Sequence, residues 1–211
     1  MDFRLRFQCV VLLLFFAVLL AKPALAETAK ESLDSSLVAV LDILKRPEYA
    51  DPVKRKALRE DIARIVRKKF DFYEFSTRTV GQQWQSFSQK QKNDFADAFA
   101  NLLISTYVSK IDGYNGEQIV FTGEKASSKG DRVEIMTVVT MKSGKKIPVN
   151  YRMLPKDGTW KVYDVLIENI SLVKNYRTQF QDLLKTKSPE EVIDRIRART
   201  LEVQEHGNEK K

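Results

Sequence analysis

The chain has 211 residues, 36 Lys and Arg against 28 Asp and Glu, a formal net charge of +8, one cysteine and one histidine. One thiol and one imidazole exclude a Cys/His zinc site and a nucleophile–histidine pair of the usual kinds. The basic residues are interspersed with acids, which argues against a nucleic-acid surface, while the modest positive charge suits anionic surfaces such as lipid headgroups.

The first 26 residues read as a secretory leader. Arg4 and Arg6 give a basic start, Val10 to Ala21 is apolar, and Ala24-Leu25-Ala26 is a small-x-small cleavage site. The apolar run falls short of the about 20 residues a span needs, and Lys22-Pro23 ends it. Cleavage before Glu27 is expected, with Cys9 leaving in the leader. The mature chain then has no thiol and no disulfide, and Glu27 stands where a lipoprotein would need cysteine. Its 185 residues carry 33 basic and 27 acidic side chains and suit one domain over 27–205. A polar, disordered tail is expected at 206–211.

Helices come first. Leu33, Leu37, Val40, Leu41 and Leu44 make an apolar stripe ending near Pro47. Asp51-Pro52 starts a second helix, with Leu58, Ile62, Ile65, Val66 and Phe70 on its inner face. A short helix through Phe72, Phe75 and Val80 stops at Gly81. Ser88 and Gln91 form a capping box for a longer one, which carries Phe95, Phe99, Leu103 and Tyr107 and ends at Asp112-Gly113.

Strands follow at 118–123, 131–141, 146–154 and 160–167. Ser143-Gly144 and Asp157-Gly158 are hairpin turns, so the sheet is antiparallel. Val133, Ile135, Thr137, Val139 and Met141 share one face of the second strand, and Ile147, Val149, Tyr151 and Met153 one face of the third. After Ile167 the apolar period changes from two to three and four, through Leu172, Val173, Tyr176, Phe180 and Leu184. A box at Ser188 and Glu191 opens the last helix. Helices, then a meander, then returning helices make an α+β order.

There is no phosphate-binding glycine loop and no G-x-S-x-G. Asp164, an acid within an apolar strand, is the one candidate acid or base. Its alternative role is structural, accepting from the corner backbone or pairing with an arginine such as Arg177. The many aromatics pack a core or line a cavity, and periodicity alone does not separate the two.

The pattern W-K-V-Y-D-V from Trp160, a short corner, S-L-V from Ser171 and N-Y-R-x-x-F ending at Phe180 resembles the MlaC family of periplasmic phospholipid-binding proteins. Asp71-Phe72-Tyr73, Val80-Gly81, Trp84, Phe95, Phe99, Leu103, Tyr107 and Tyr114-Asn115-Gly116 follow that family's order as well. Asn169 departs from it, standing where glycine is expected, but asparagine is the residue next best suited to positive φ. The resemblance implies a curved antiparallel sheet of about four strands, a cystatin-like or nuclear-transport-factor-like cone, wrapped by helices around an apolar cavity. It implies a soluble periplasmic lipid carrier rather than an enzyme, with no cofactor. The implied partners are phospholipid, an inner-membrane ABC lipid transporter complex with its MCE-type subunit, and an outer-membrane lipoprotein–porin complex. The cavity-lining candidates are Phe72, Phe75, Val80, Trp84, Phe99, Leu103, Tyr107, Val139, Val149, Tyr151, Met153, Val165, Ile167, Val173, Tyr176 and Phe180. Arg152, Lys174 and Arg177 are headgroup candidates. Other readings are a small cone-fold enzyme using Asp164, a carrier of another apolar lipid such as a hopanoid, and a periplasmic structural protein that binds no lipid.

Overall fold

A computed structural model describes residues 27–111 and 113–209; the leader lies outside them. Helix α1 (Ala29–Leu44) opens with a capping box absent from the sequence reading: Glu31 N donates to Thr28 Oγ1 at 3.2 Å, and Thr28 N to the Glu31 carboxylate at 2.9 Å. A 3-10 turn at Pro47–Ala50 leads to α2 (Pro52–Lys69), where Asp51 accepts the Val53 N–H at 2.8 Å. Asp71 caps α3 (Phe72–Val80) in the same way, and Gly81, at φ 72°, ends it. A second 3-10 turn, Gly81–Ser86, precedes α4 (Gln89–Ile111), whose Ser88–Gln91 box forms as the sequence predicts.

The sheet is an open meander in the order β1-β2-β3-β4-β5, every pair antiparallel. Its strands are β1 (Gln118–Ala126), β2 (Val133–Thr140), β3 (Lys146–Lys156), β4 (Thr159–Ile167) and β5 (Ile170–Ser171). The two-residue β5 is one more strand than the sequence suggests. Glu168 and Asn169 take φ of 50° and 65°, the geometry of a type I′ turn, and fold Ile170 back onto Ile167. Asn169 thus has the positive φ expected of the residue replacing glycine. Helices α5 (Leu172–Leu184) and α6 (Pro189–Glu209) complete the fold; α6 packs along α4, and its backbone stays helical past residue 205, into the segment expected as a tail.

Odd-numbered residues of β2 and β3 face inward, so Ile135 pairs with Tyr151 and Thr137 with Val149. In β4 a bulge changes the phase. Arg152 pairs with Asp164 but Met153 with Val162, which leaves Tyr163 as the extra residue. Val162 and Val165 therefore both point into the interior, although they are three apart. Tyr163 turns outward, its ring centroid 4.3 Å from the Arg78 guanidinium.

Two apolar clusters result. The larger joins the start of α1 (Ala29 and Leu33), α3, α4, α5, α6 and the sheet, with an aromatic centre in which Phe180 stands edge-on to Phe99 at 5.0 Å and to Phe95 at 5.1 Å. The smaller, around Ile43, Leu44, Leu58, Ile62 and Val108, belongs to α1, α2 and the C-terminal half of α4. Among the described residues, no helix is long and apolar enough to cross a membrane.

Candidate functional site: an apolar cavity

Where the two clusters meet, the side chains do not close up. A cavity of about 510 Å³ remains. Its roof is α1 and α2, through Leu37, Val40, Leu41, Leu44, Ile62 and Val66. One wall is α4, through Leu103, Ile104, Tyr107, Val108 and Ile111; Phe70, Phe72, Phe75 and Leu172 close the side; and the floor is the inner face of the sheet. The floor residues Ile119, Val139, Met141, Val149, Tyr151, Val165 and Ile167 fall on one face because side chains alternate along each strand. Among the described residues, Lys110 and Glu117 are the only charged ones in the lining, and the Lys110 ammonium sits 4.9 Å from the Tyr107 ring centroid. Ions stay in water, so these two mark the mouth.

Of the sixteen lining candidates, Phe72, Phe75, Leu103, Tyr107, Val139, Val149, Tyr151, Val165 and Ile167 meet at this cavity. The other seven lie elsewhere. Val80, Trp84, Phe99, Val173 and Phe180 are buried in the larger cluster, and Tyr176 packs against it, 4.9 Å from Phe99. Met153 is fully buried on β3, beside Val133 and Val162. The roof from α1 and α2 is absent from the candidates, as are Ile104, Val108 and Ile119. The signal was present in the apolar stripe of α1, which needs a partner that no neighbouring segment obviously supplies.

None of the three headgroup candidates lines the cavity. Arg152 lies on the opposite face of the sheet, donating to Glu134 at 2.9 Å and to Asp164 at 3.2 Å. Lys174 is exposed on α5, and so is Arg177, whose Nε donates to the Arg78 carbonyl at 2.8 Å. Asp164 is buried outside the cavity lining. It accepts from Ser171 Oγ at 2.7 Å, from Val173 N at 3.0 Å and from Arg152. Both structural roles foreseen for it are present, with Arg152 rather than Arg177 as the arginine.

Burial sets the chemistry of the lining tyrosines. It pushes the Tyr151 hydroxyl up to about 12 and raises Tyr107 as well, so both remain neutral phenols at ordinary pH. The described lining thus offers hydrocarbon walls and phenol hydroxyls, with Lys110 and Glu117 as its charged residues. It is a container.

The model of the MlaC protein family matches residues 35–198, more than three quarters of the chain. The chain belongs to the MlaC family. Over 120 residues it is 27% identical to the toluene tolerance protein ttg2D of Pseudomonas putida, covering 57% of this chain and 52%, about half, of that protein. Over 193 residues it is 22% identical to the intermembrane phospholipid transport system binding protein MlaC of Haemophilus influenzae, covering 85% of this chain and 86% of that one. Among solved structures, the phospholipid-binding protein of Ralstonia solanacearum, determined in complex with a phospholipid, matches with a TM-score of 0.67 at 21% identity. The match covers 80% of this chain and 97% of that one, and shows that this MlaC-family chain shares its fold.

Proposed function

We propose that this protein is a phospholipid carrier of the periplasm, holding acyl chain in the cavity and passing lipid between membrane-bound complexes. The observation that carries the reading is the cavity itself, whose lining among the described residues is apolar on every side and charged only at Lys110 and Glu117. A diacyl lipid presents about 30 methylenes, each worth about 0.8 kcal/mol on leaving water, so a bare lipid faces a barrier of order 20 kcal/mol. A carrier must shield most of that surface and still release it. Aliphatic and phenol walls suit such a loose, general grip.

Size adds a condition. A volume of about 510 Å³ equals roughly 17 waters at about 30 Å³ each, and a methylene takes up similar room. One long chain fills the cavity as it stands.

Membership of the MlaC family, with a relative named for an intermembrane phospholipid transport system, supports the setting we propose: an inner-membrane ABC lipid transporter with its MCE-type subunit on one side, an outer-membrane lipoprotein–porin complex on the other. Native mass spectrometry of the mature protein, purified from its membrane-bearing host, tests the reading. A copurified mass of a diacyl phospholipid is expected. Protein that carries no lipid, and takes none up from phospholipid vesicles, would overturn it.

A further inference from the structure

We propose that the Tyr151 hydroxyl donates a hydrogen bond to an ester carbonyl of the bound lipid, making Tyr151 a specificity-determining residue for ester-linked over ether-linked lipids. The proposal rests on the carrier reading and adds a rule for which lipids are held.

Tyr151 is the last floor residue along β3, beside Val165 of β4 and opposite Ile135 of β2, which is buried and does not line the cavity. Protein surrounds it, and the part of its surface left open faces the cavity it lines. Several buried polar side chains elsewhere have protein partners. Thr137 donates to the Val149 carbonyl at 2.6 Å, Thr79 to that of Ser76 at 2.9 Å, and Thr200 to that of Ile196 at 2.8 Å. Ser32 accepts from Lys69 at 2.6 Å, and Asp164 has three donors. The one side-chain polar atom among the described residues that is both sealed in protein and unpartnered is Arg78 Nε, which is not part of the cavity. The Tyr151 hydroxyl is neither bonded to a described residue nor sealed. It is an open donor in an apolar wall.

An unmet hydroxyl in such a place is unfavourable, and phenylalanine would hold hydrocarbon equally well without it. With its proton retained to about pH 12, the group acts as a donor and not as a base. The ligand must then bring an acceptor inside. In a phospholipid the acyl chains have none, and the phosphate is too costly to take out of water. The ester carbonyls, at the junction between them, are the acceptors a lipid can carry into an apolar site. An ether lipid has the same shape and chains but lacks that oxygen.

The test uses the mature protein and its Tyr151→Phe variant. Each is incubated with vesicles holding equal amounts of a diester phosphatidylcholine and its dialkyl ether analogue of matched chain length, and native mass spectrometry reads the bound ratio. Wild type is expected to favour the ester lipid about fivefold, the range of a single net hydrogen bond. Tyr151→Phe is expected to bring the ratio near one by losing ester lipid, with ether lipid unchanged. Lipid-free Tyr151→Phe should also melt no lower than wild type, since the hydroxyl has no protein partner to lose. Equal uptake of the two lipids by wild type, a preference that survives in the variant, or a clear drop in melting temperature would overturn the proposal. If wild type takes up neither lipid, the carrier reading falls and this inference falls with it.

Discussion

Asp164 accepts the backbone N–H of Val173 at 3.0 Å, across the corner where the sheet turns into α5. Its other oxygen takes Ser171 and Arg152, so one buried carboxylate fixes a strand, a helix start and the outer face of the sheet. Removing it leaves a buried N–H and a guanidinium short of a partner. Asp164→Ala should therefore lose about 3 kcal/mol, read as the shift in a urea unfolding curve. Lipid bound per folded molecule should be unchanged, because Asp164 is not part of the cavity. A variant with wild-type stability would mean that the corner holds without it.

Hollow and solid parts of the interior can be told apart by adding bulk. Val149 lines the cavity, while Ile135, one strand away on the same face, is wholly buried in the packed cluster. Val149→Trp should leave the lipid-free melting temperature near that of wild type and sharply lower copurified phospholipid. Ile135→Trp should cost about 1–3 kcal/mol or more, as overpacking does. Equal destabilisation by both, measured on protein stripped of lipid, would mean that the space beside Val149 is not free.

Alkaline pH offers a third check. Burial pushes Tyr151 and Tyr176 up to about 12, against about 10 in an unfolded chain. Below pH 10 both states hold these protons and stability is unaffected. From pH 10 to 12 the unfolded chain releases them and the folded one does not, so stability falls as pH rises. For Tyr151 the gap is worth about 3 kcal/mol. Urea midpoints between pH 9 and 11 should fall more steeply for wild type than for Tyr151→Phe. Parallel slopes would contradict the burial.

The β4–β5 turn holds two non-glycine residues at positive φ, Glu168 and Asn169. Asn-Gly is the sequence best suited to a type I′ turn. Replacing Asn169 with glycine relieves a left-handed strain of about 1 kcal/mol at small entropic cost, and Asn169→Val should destabilise by more than that. Thermal melts of the two variants should move in opposite directions.

Local signals were the legible ones. The Ser88–Gln91 and Ser188–Glu191 boxes, the stop at Gly81 and the hairpins at Gly144 and Gly158 depend on residues a few positions apart, and each lies where the sequence puts it. Inward and outward faces of β2 and β3 followed from alternation. The Tyr163 bulge did not, because one extra residue in a ladder depends on the partner strand. For the same reason the arginine beside Asp164 came from β3 and not from α5. The cavity was the least visible feature. Phe75 and Phe99 are both fully buried and stand edge-on at 5.6 Å, yet Phe75 borders open space and Phe99 does not. Periodicity reports which way a side chain points, and says nothing of how far away the next one begins.

The smaller apolar cluster, centred on Ile62, faces the larger one across the cavity. Under the carrier reading the cargo is mortar between two blocks, touching both and lending each the contact area that protein atoms do not provide. By mass action a loaded molecule is then harder to open than an empty one. Proteases that sample opened chains would fall first on carriers without cargo. The lifetime of the protein would track the supply of lipid, with no separate sensor required.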